Sequence, residues 1–340
     1  MVTEKSFWET LATWVKKKVV LGIIIIIVVV ILAIVIPPLV LPPAESTDFI
    51  KKIVETIIFG SSLGTVLALI SIGYSLVYGV GKIINLSHGM YYFLTGYLIF
   101  SFSVYGPVPY PYAIILSLII ITVIGACTYL FLIKPFHGKE IMVMIITFSL
   151  GFLIQQIILL VELLIPGYTF LSLDRFIPGS YIIFGAQFTF YRLFIMIVSV
   201  LTIATLLIFI KKTRYGKAIR AVSQDQDAAK LMGINYNGVL LFTVTISAFL
   251  AGFAAFLYVP EEPLSMTTGW NFLLLSMSVV ILGGMGSISG TLIGAFILAF
   301  SKYLCQYFIS EPLAGVFHLF VIIVMLVIRP YGILGKKEKI

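Results

Sequence analysis

Charge is what this chain has least of: Asp, Glu, Lys and Arg make up 11% of its 340 residues, while 61% are hydrophobic. A soluble domain carries roughly a quarter charged residues, so this scarcity excludes that class. Cysteine is nearly absent too. Cys127 and Cys305 stand alone in separate apolar segments, which excludes a disulfide framework and a thiolate metal site. The three histidines, His88, His137 and His318, are far apart and share no HExxH-type spacing, so no metal centre is expected. A GxSxG nucleophile is missing. So is a phosphate-binding loop: Gly81-Lys82 supplies the GK pair, but Leu76 replaces the first glycine and Ile83 the following Ser or Thr. The chain is therefore expected to be neither an enzyme nor its own ATPase, with no catalytic residues and no cofactor.

Carboxylates are also missing from the middles of the apolar runs. Glu55 and Glu162 fall near outer ends and Glu140 near an inner end, which disfavours a proton- or sodium-coupled carrier. The basic balance, a net charge of +8, sits at segment ends, where membrane topology and anionic lipid account for it without nucleic acid.

What is there is apolar length. Runs suited to spanning lie near 18–36, 53–80, 89–104, 112–133, 141–163, 188–210, 237–259 and 313–328, with a further pair over 271–304. These runs are too long for barrel strands and lack a period of two, so an all-α polytopic bundle of about 8–10 spanning segments is predicted. The 271–304 pair is interrupted by Gly283, Gly284, Gly286, Gly290 and Gly294. It reads either as two short crossings or as two half-helices meeting near 281–294. The first run follows Lys16, Lys17 and Lys18 and ends in PPLVLPP without a small-x-small cleavage site, so it is read as a retained anchor. If those lysines are cytoplasmic, 17 of the 22 basic residues fall on that side, leaving Lys51, Lys52, Arg175, Arg192 and Lys302 outside. Both termini are then expected in the cytoplasm.

Three segments carry the remaining information. In GTVLALISIGYSLVYGVGKIINLSHG, from Gly64 to Gly89, an apolar helix runs into the polar pentapeptide Asn85-Leu86-Ser87-His88-Gly89. One reading is a cytoplasmic turn in which Asn85 and Ser87 cap the flanking helices. The other is an unwound break at membrane depth, where Asn85 and His88 meet solute or hold two helices in register. The second segment, the 23 residues from Lys211 to Gly233, is the one long charged interruption. Ile219, Val222, Ala229 and Met232 can share an apolar stripe there, with Arg220, Gln224, Asp227 and Lys230 facing elsewhere. Such a segment either docks on a partner or lies on headgroups. The third, ILGGMGSISGTLIGAFIL, places Gly286, Gly290 and Gly294 at intervals of four, which suits close helix packing or the lining of a path.

In this order and spacing the three segments resemble the integral-membrane permeases of ABC importers for branched-chain amino acids and related solutes such as amides or urea. The resemblance covers roughly 53–332. It implies a permease domain there, an added N-terminal extension over 1–52 and a basic cytoplasmic tail over 333–340. The glycine-rich segment is shared with sugar and nucleoside permeases, whereas NLSHG and RAVSQDQDAAKLMGI favour the amino-acid branch. Asp227-Ala228-Ala229 followed by Gly233 resembles the EAA-x-x-x-G signature that engages the ATPase, with Asp for Glu. The resemblance implies a substrate pathway at Asn85, Ser87, His88, Gly89, Gly283, Gly284 and Gly286. It also implies a coupling loop at Gly216, Arg220, Asp227, Ala228, Ala229 and Gly233. The implied partners are a second permease, two cytoplasmic ABC ATPase subunits, an extracytoplasmic solute-binding protein and the lipid bilayer. Glu261 and Glu262, between Pro260 and Pro263, are candidates for docking that binding protein. A self-sufficient channel or facilitator is the alternative, and a membrane enzyme a more distant one.

Overall fold

The computed structural model describes residues 43–164 and 172–335. The first apolar run, near 18–36, lies outside these residues, as do 336–340 of the basic tail. Eleven α-helices follow in order: α1 Pro43–Gly81, α2 His88–Phe100, α3 Tyr110–Cys127, α4 Glu140–Leu164, α5 Phe190–Lys212, α6 Arg214–Gln224, α7 Gln226–Leu231, α8 Tyr236–Tyr258, α9 Thr268–Gly283, α10 Ile288–Phe308 and α11 Glu311–Ile328. Seven are long and apolar enough to cross a membrane, so the chain is a multi-pass membrane protein built as a helical bundle. A two-stranded hairpin, β1 Ser180–Ile183 and β2 Ala186–Thr189, is the one sheet among the described residues. Its turn uses Phe184 and Gly185, both at positive φ as a tight primed turn requires.

Two compact units are distinguished. The smaller includes the described residues 43–56 and 182–187. Within it Lys52 pairs with Asp48 at 2.9 Å, and the Thr56 hydroxyl bonds the Lys52 carbonyl at 2.8 Å. The larger, which includes the described residues 57–164, 172–181 and 188–335, holds the bundle. There α8 packs against α2 and α3, and α9 packs against α2, α10 and α11. Proline marks several ends: Pro111 and Pro312 sit in the first turns of α3 and α11, and Pro135 closes the tightened turn that extends α3. Helix α1 runs without interruption through residue 52, where the sequence suggested the start of the permease domain.

Of the two alternatives for the 271–304 pair, the structure forms two crossings rather than two half-helices. At 281–294 two antiparallel helices meet through a turn at 284–287, with Gly284 and Gly286 at φ 102° and 80°. The shorter of these two is α9, whose 16 residues span about 24 Å, while α2 runs on without a break through a π-helical turn over Ser101–Tyr105. The glycine stripe is also revised. Gly286 lies in the turn and faces Gly79 of α1, while Gly290 and Gly294 press on Gly283 and the Val279 carbonyl of α9. The segment after α11 folds back over this turn: Ile333 and Leu334 donate backbone N–H groups to the Leu282 and Gly283 carbonyls at 2.9 and 3.0 Å. Those contacts satisfy the C-terminal carbonyls of α9.

Candidate functional site

The site begins where α1 stops. Lys82 takes φ 54°, in the left-handed region that side chains disfavour, and turns the chain out of the helix. From Ile83 to Ser87 the backbone is unwound. Ile84 and Leu86 pack on Tyr74, Leu273 and Val280, a small apolar cluster completed by Trp270 and Met277. Since Val280 and Trp270 are ten residues apart on α9, the unwound segment climbs about 15 Å alongside that helix before α2 begins. Asn85, Ser87 and His88 are all buried. A solvent-facing turn would leave such polar side chains exposed, whereas these are packed inside the protein.

Unwound backbone at such depth needs partners, and side chains supply them. Leu86 donates its N–H to the Thr147 hydroxyl of α4 at 3.1 Å, and Ser87 donates its own to Asn85 Oδ1 at 3.1 Å. The Ser87 hydroxyl lies 2.7 Å from Asn85 Oδ1 and 3.0 Å from the Tyr91 hydroxyl. No side-chain cap bond is made by Ser87 to α2, contrary to the capping expectation. His88 joins two helices: Nε2 is 2.9 Å from the Ile70 carbonyl of α1, and Nδ1 is 3.2 Å from the Ser247 hydroxyl of α8. A carbonyl only accepts, so Nε2 carries the proton and the Ser247 hydroxyl donates to Nδ1. Both ring nitrogens therefore have protein partners, and His88 holds α1 and α8 in register. Asn85 Nδ2, the Tyr74 hydroxyl and the hydroxyls of Ser71 and Ser75 are buried without a hydrogen-bond partner among the described residues. Ser71, Tyr74 and Ser75 share one face of α1.

Gly89 lets α2 meet α9. A Cβ there would overlap the Gly269 carbonyl and sit 2.7 Å from Leu273. Trp270 is fixed by Gln155 of α4, which accepts its indole N–H at 2.8 Å and donates to the Met266 carbonyl at 3.0 Å. The sequence-predicted pathway residues thus form two groups. Asn85, Ser87, His88 and Gly89 gather in the buried break, whereas Gly283, Gly284 and Gly286 lie at the other end of α9, with Gly286 beside Gly79.

The charged interruption folds as α6 and α7. Gly216 is buried where a Cβ would strike the Ile210 carbonyl, and Arg220 reaches back to that same carbonyl. Ile219, Val222 and Ala229 are buried as the stripe predicts, but Met232 is 83% exposed and Leu231 89% exposed. Met232 leaves the stripe because α7 ends at Leu231 and the chain turns through Gly233 at φ 81°. Asp225 caps α7 by accepting from the N–H groups of Asp227 and Ala228, and Lys230 pairs with Asp227 at 3.2 Å. Two contacts that sequence reasoning missed tie α7 inward. Gln226 Nε2 donates to the Val80 carbonyl at the end of α1, at 2.9 Å. Lys230 lies over the ring of Tyr236, whose hydroxyl is 2.6 Å from His137 Nε2. Burial and the nearby Lys230 charge lower the His137 pKa below its ordinary value. A polar residue inside an amphipathic segment is the only sequence signal Gln226 offered.

At the opposite end Glu261 is not free to dock anything. Its side chain is 1% exposed and bridges Arg175 at 2.9 Å and Arg192 at 2.6 Å, with the Thr189 hydroxyl also donating to it. Glu262 remains exposed.

The chain matches, over residues 56–328, the family described as the permease component of branched-chain amino acid transport systems. The chain belongs to this family of permeases. It is 27% identical over 304 residues to the high-affinity branched-chain amino acid permease BraD of Pseudomonas aeruginosa, covering 84% of this chain and 96% of BraD. It is 29% identical over 298 residues to LivH of Escherichia coli, covering 82% of this chain and 94% of LivH. LivM of the same organism is 30% identical over 121 residues, 35% of this chain and 28% of LivM. No solved structure gives a significant match.

Proposed function

We propose that this permease conducts branched-chain or similarly apolar amino acids inward, driven by separate ATPase subunits that dock on α6 and α7. The observation that carries the reading is the combination of exposed Leu231 and Met232 with the inward tie from Gln226 to Val80. An exposed apolar pair beside Asp227 and Ala228 suits a partner's groove. Movement of α7 would then be passed to the end of α1, to the Lys82 turn and on to the unwound segment at Asn85. The solute meets Asn85 Nδ2 and the hydroxyls of Ser71, Tyr74 and Ser75 when that segment moves, and the apolar cluster of Tyr74, Leu273 and Val280 receives its side chain. His88 and the glycines Gly89, Gly283, Gly284 and Gly286 set helix contacts around the path. Ser87 braces Asn85. Within the coupling segment Gly216, Arg220, Ala229 and Gly233 shape the fold, and Asp227 and Ala228 face the partner. Similarity to both LivH and LivM supports pairing with a second permease of the same class, and an external binding protein delivers the solute.

Capture of candidate ATPases by the detergent-solubilised protein tests this. ATPase subunits recovered with the wild type and lost from a well-folded Leu231→Asp, Met232→Asp variant are the expected result. No recovery with the wild type, or full recovery with the variant, would remove the coupling surface. Passive flux of leucine through the lone chain in liposomes would favour the channel reading instead.

A further inference from the structure

A cavity of about 1020 Å³ opens on the coupling end of the bundle, remote from the break. Its walls are Leu130, in the π-helical turn Thr128–Ile133 that continues α3, and Val239, Leu241 and Phe242 of α8, and its rim carries Arg214 and Asn235. Thr245, also lining it, lies ten residues beyond Asn235, so the groove follows α8 for about 15 Å. That is half the thickness of a hydrocarbon layer. Polar groups sit only at or near the ends, no acid lines the groove, and its one charged lining residue is Arg214, with Lys217 three residues further along α6. Lys211, Lys212, Arg214 and Lys217 are all exposed, and none has an ion-pair partner among the described residues. Tyr215, at the rim, lies against Phe242 with ring centroids 5.3 Å apart, as an aromatic at a membrane interface does.

We propose that this groove binds an anionic phospholipid, with an acyl chain along α8 and the phosphate held by Arg214 and Lys217. The shape and the charge agree on this occupant. A cytoplasmic protein does not reach 15 Å into the apolar layer, and a zwitterionic lipid leaves the unpaired basic rim without a counter-charge. Arg214, Tyr215 and Ala218 belong to α6, so the bound lipid forms part of the floor on which the coupling segment rests. The site is independent of the import reading, because its test measures lipid alone.

The test places a reporter in the groove as Phe242→Trp and another on the outward face of α4 as Phe152→Trp, with the unsubstituted protein as background. Each is reconstituted in phosphatidylcholine vesicles containing increasing brominated phosphatidylglycerol, or brominated phosphatidylcholine as control. We expect the groove reporter to be half-quenched at a several-fold lower mole fraction of phosphatidylglycerol than the α4 reporter, with no such preference for phosphatidylcholine. Adding Arg214→Gln and Lys217→Gln should weaken the preference by roughly fivefold per charge. Equal quenching by the two lipids, a preference that survives both substitutions, or a groove reporter that no lipid reaches because protein covers it would each overturn the proposal.

Discussion

His88 accepts from Ser247 on α8 and donates to Ile70 on α1, so its removal leaves a hydroxyl and a carbonyl buried without partners. His88→Ala should lower stability by about 2 kcal/mol or more, read as a drop in thermal midpoint in detergent. His88→Gln, which keeps a donor and an acceptor, should recover part of it. An unchanged midpoint for His88→Ala would show that the ring does not join the two helices. Gly89 has a sharper requirement, since any Cβ meets backbone of α9 rather than a yielding side chain. Gly89→Ala should therefore reduce the yield of folded protein more than Gly269→Ala, where the nearest atoms belong to the flexible Met90. Size-exclusion profiles compare the two directly. NLSHG was legible as unusual in the sequence, because a polar pentapeptide between apolar runs demands an explanation. Its partners Ile70, Thr147 and Ser247 were not, because each is an ordinary residue of an apolar helix that becomes polar lining only when three helices converge.

Helix α7 is anchored through Tyr236 to His137, and that anchor should respond to acid. The folded protein holds the His137 pKa below its unfolded value, so the unfolded chain binds the proton more readily. The stabilising contribution is complete above the unfolded value near pH 6.5 and is lost as pH falls from there through the lowered folded value. Limited proteolysis of the α6–α7 loop should accordingly quicken below about pH 6.5 in the wild type. His137→Gln should flatten that dependence, and an equal acceleration in both would disprove the anchor. The same element separates surface from support. Ala229 is 4% exposed, so Ala229→Glu should unfold α7 and cannot by itself identify a docking surface. Gly233→Arg has the same weakness, because φ 81° strains any side chain there. Spacing alone revealed the stripe of Ile219, Val222 and Ala229. Met232 escaped because its place depends on where α7 ends, and the Asp225 cap and the Gly233 turn decide that.

Across the whole molecule, apolar run length was enough to expose the helical bundle, and six of the predicted spans became helices long enough to cross. The pair over 271–304 required tertiary information. Whether glycines produce half-helices or a tight hairpin depends on what packs against them, here Gly79 and the segment from Gly332 to Gly335. The two glycine and polar groups read together in sequence lie at opposite ends of α9, and the chain linking them is the unwound run from Lys82 to Ser87. Gln226 ties α7 to the last turn of α1, just before that run, and the proposed transport cycle depends on this link. Gln226→Leu removes one hydrogen bond between the coupling segment and α1 while leaving Leu231 and Met232 in place. The decisive measurement reconstitutes this permease with the proposed second permease, ATPase subunits and binding protein in liposomes, then follows ATP hydrolysis and leucine uptake together. The account predicts that Gln226→Leu keeps the ATPase subunits bound and hydrolysing while uptake per ATP falls about three- to tenfold. Uptake per ATP equal to that of the wild type would contradict it.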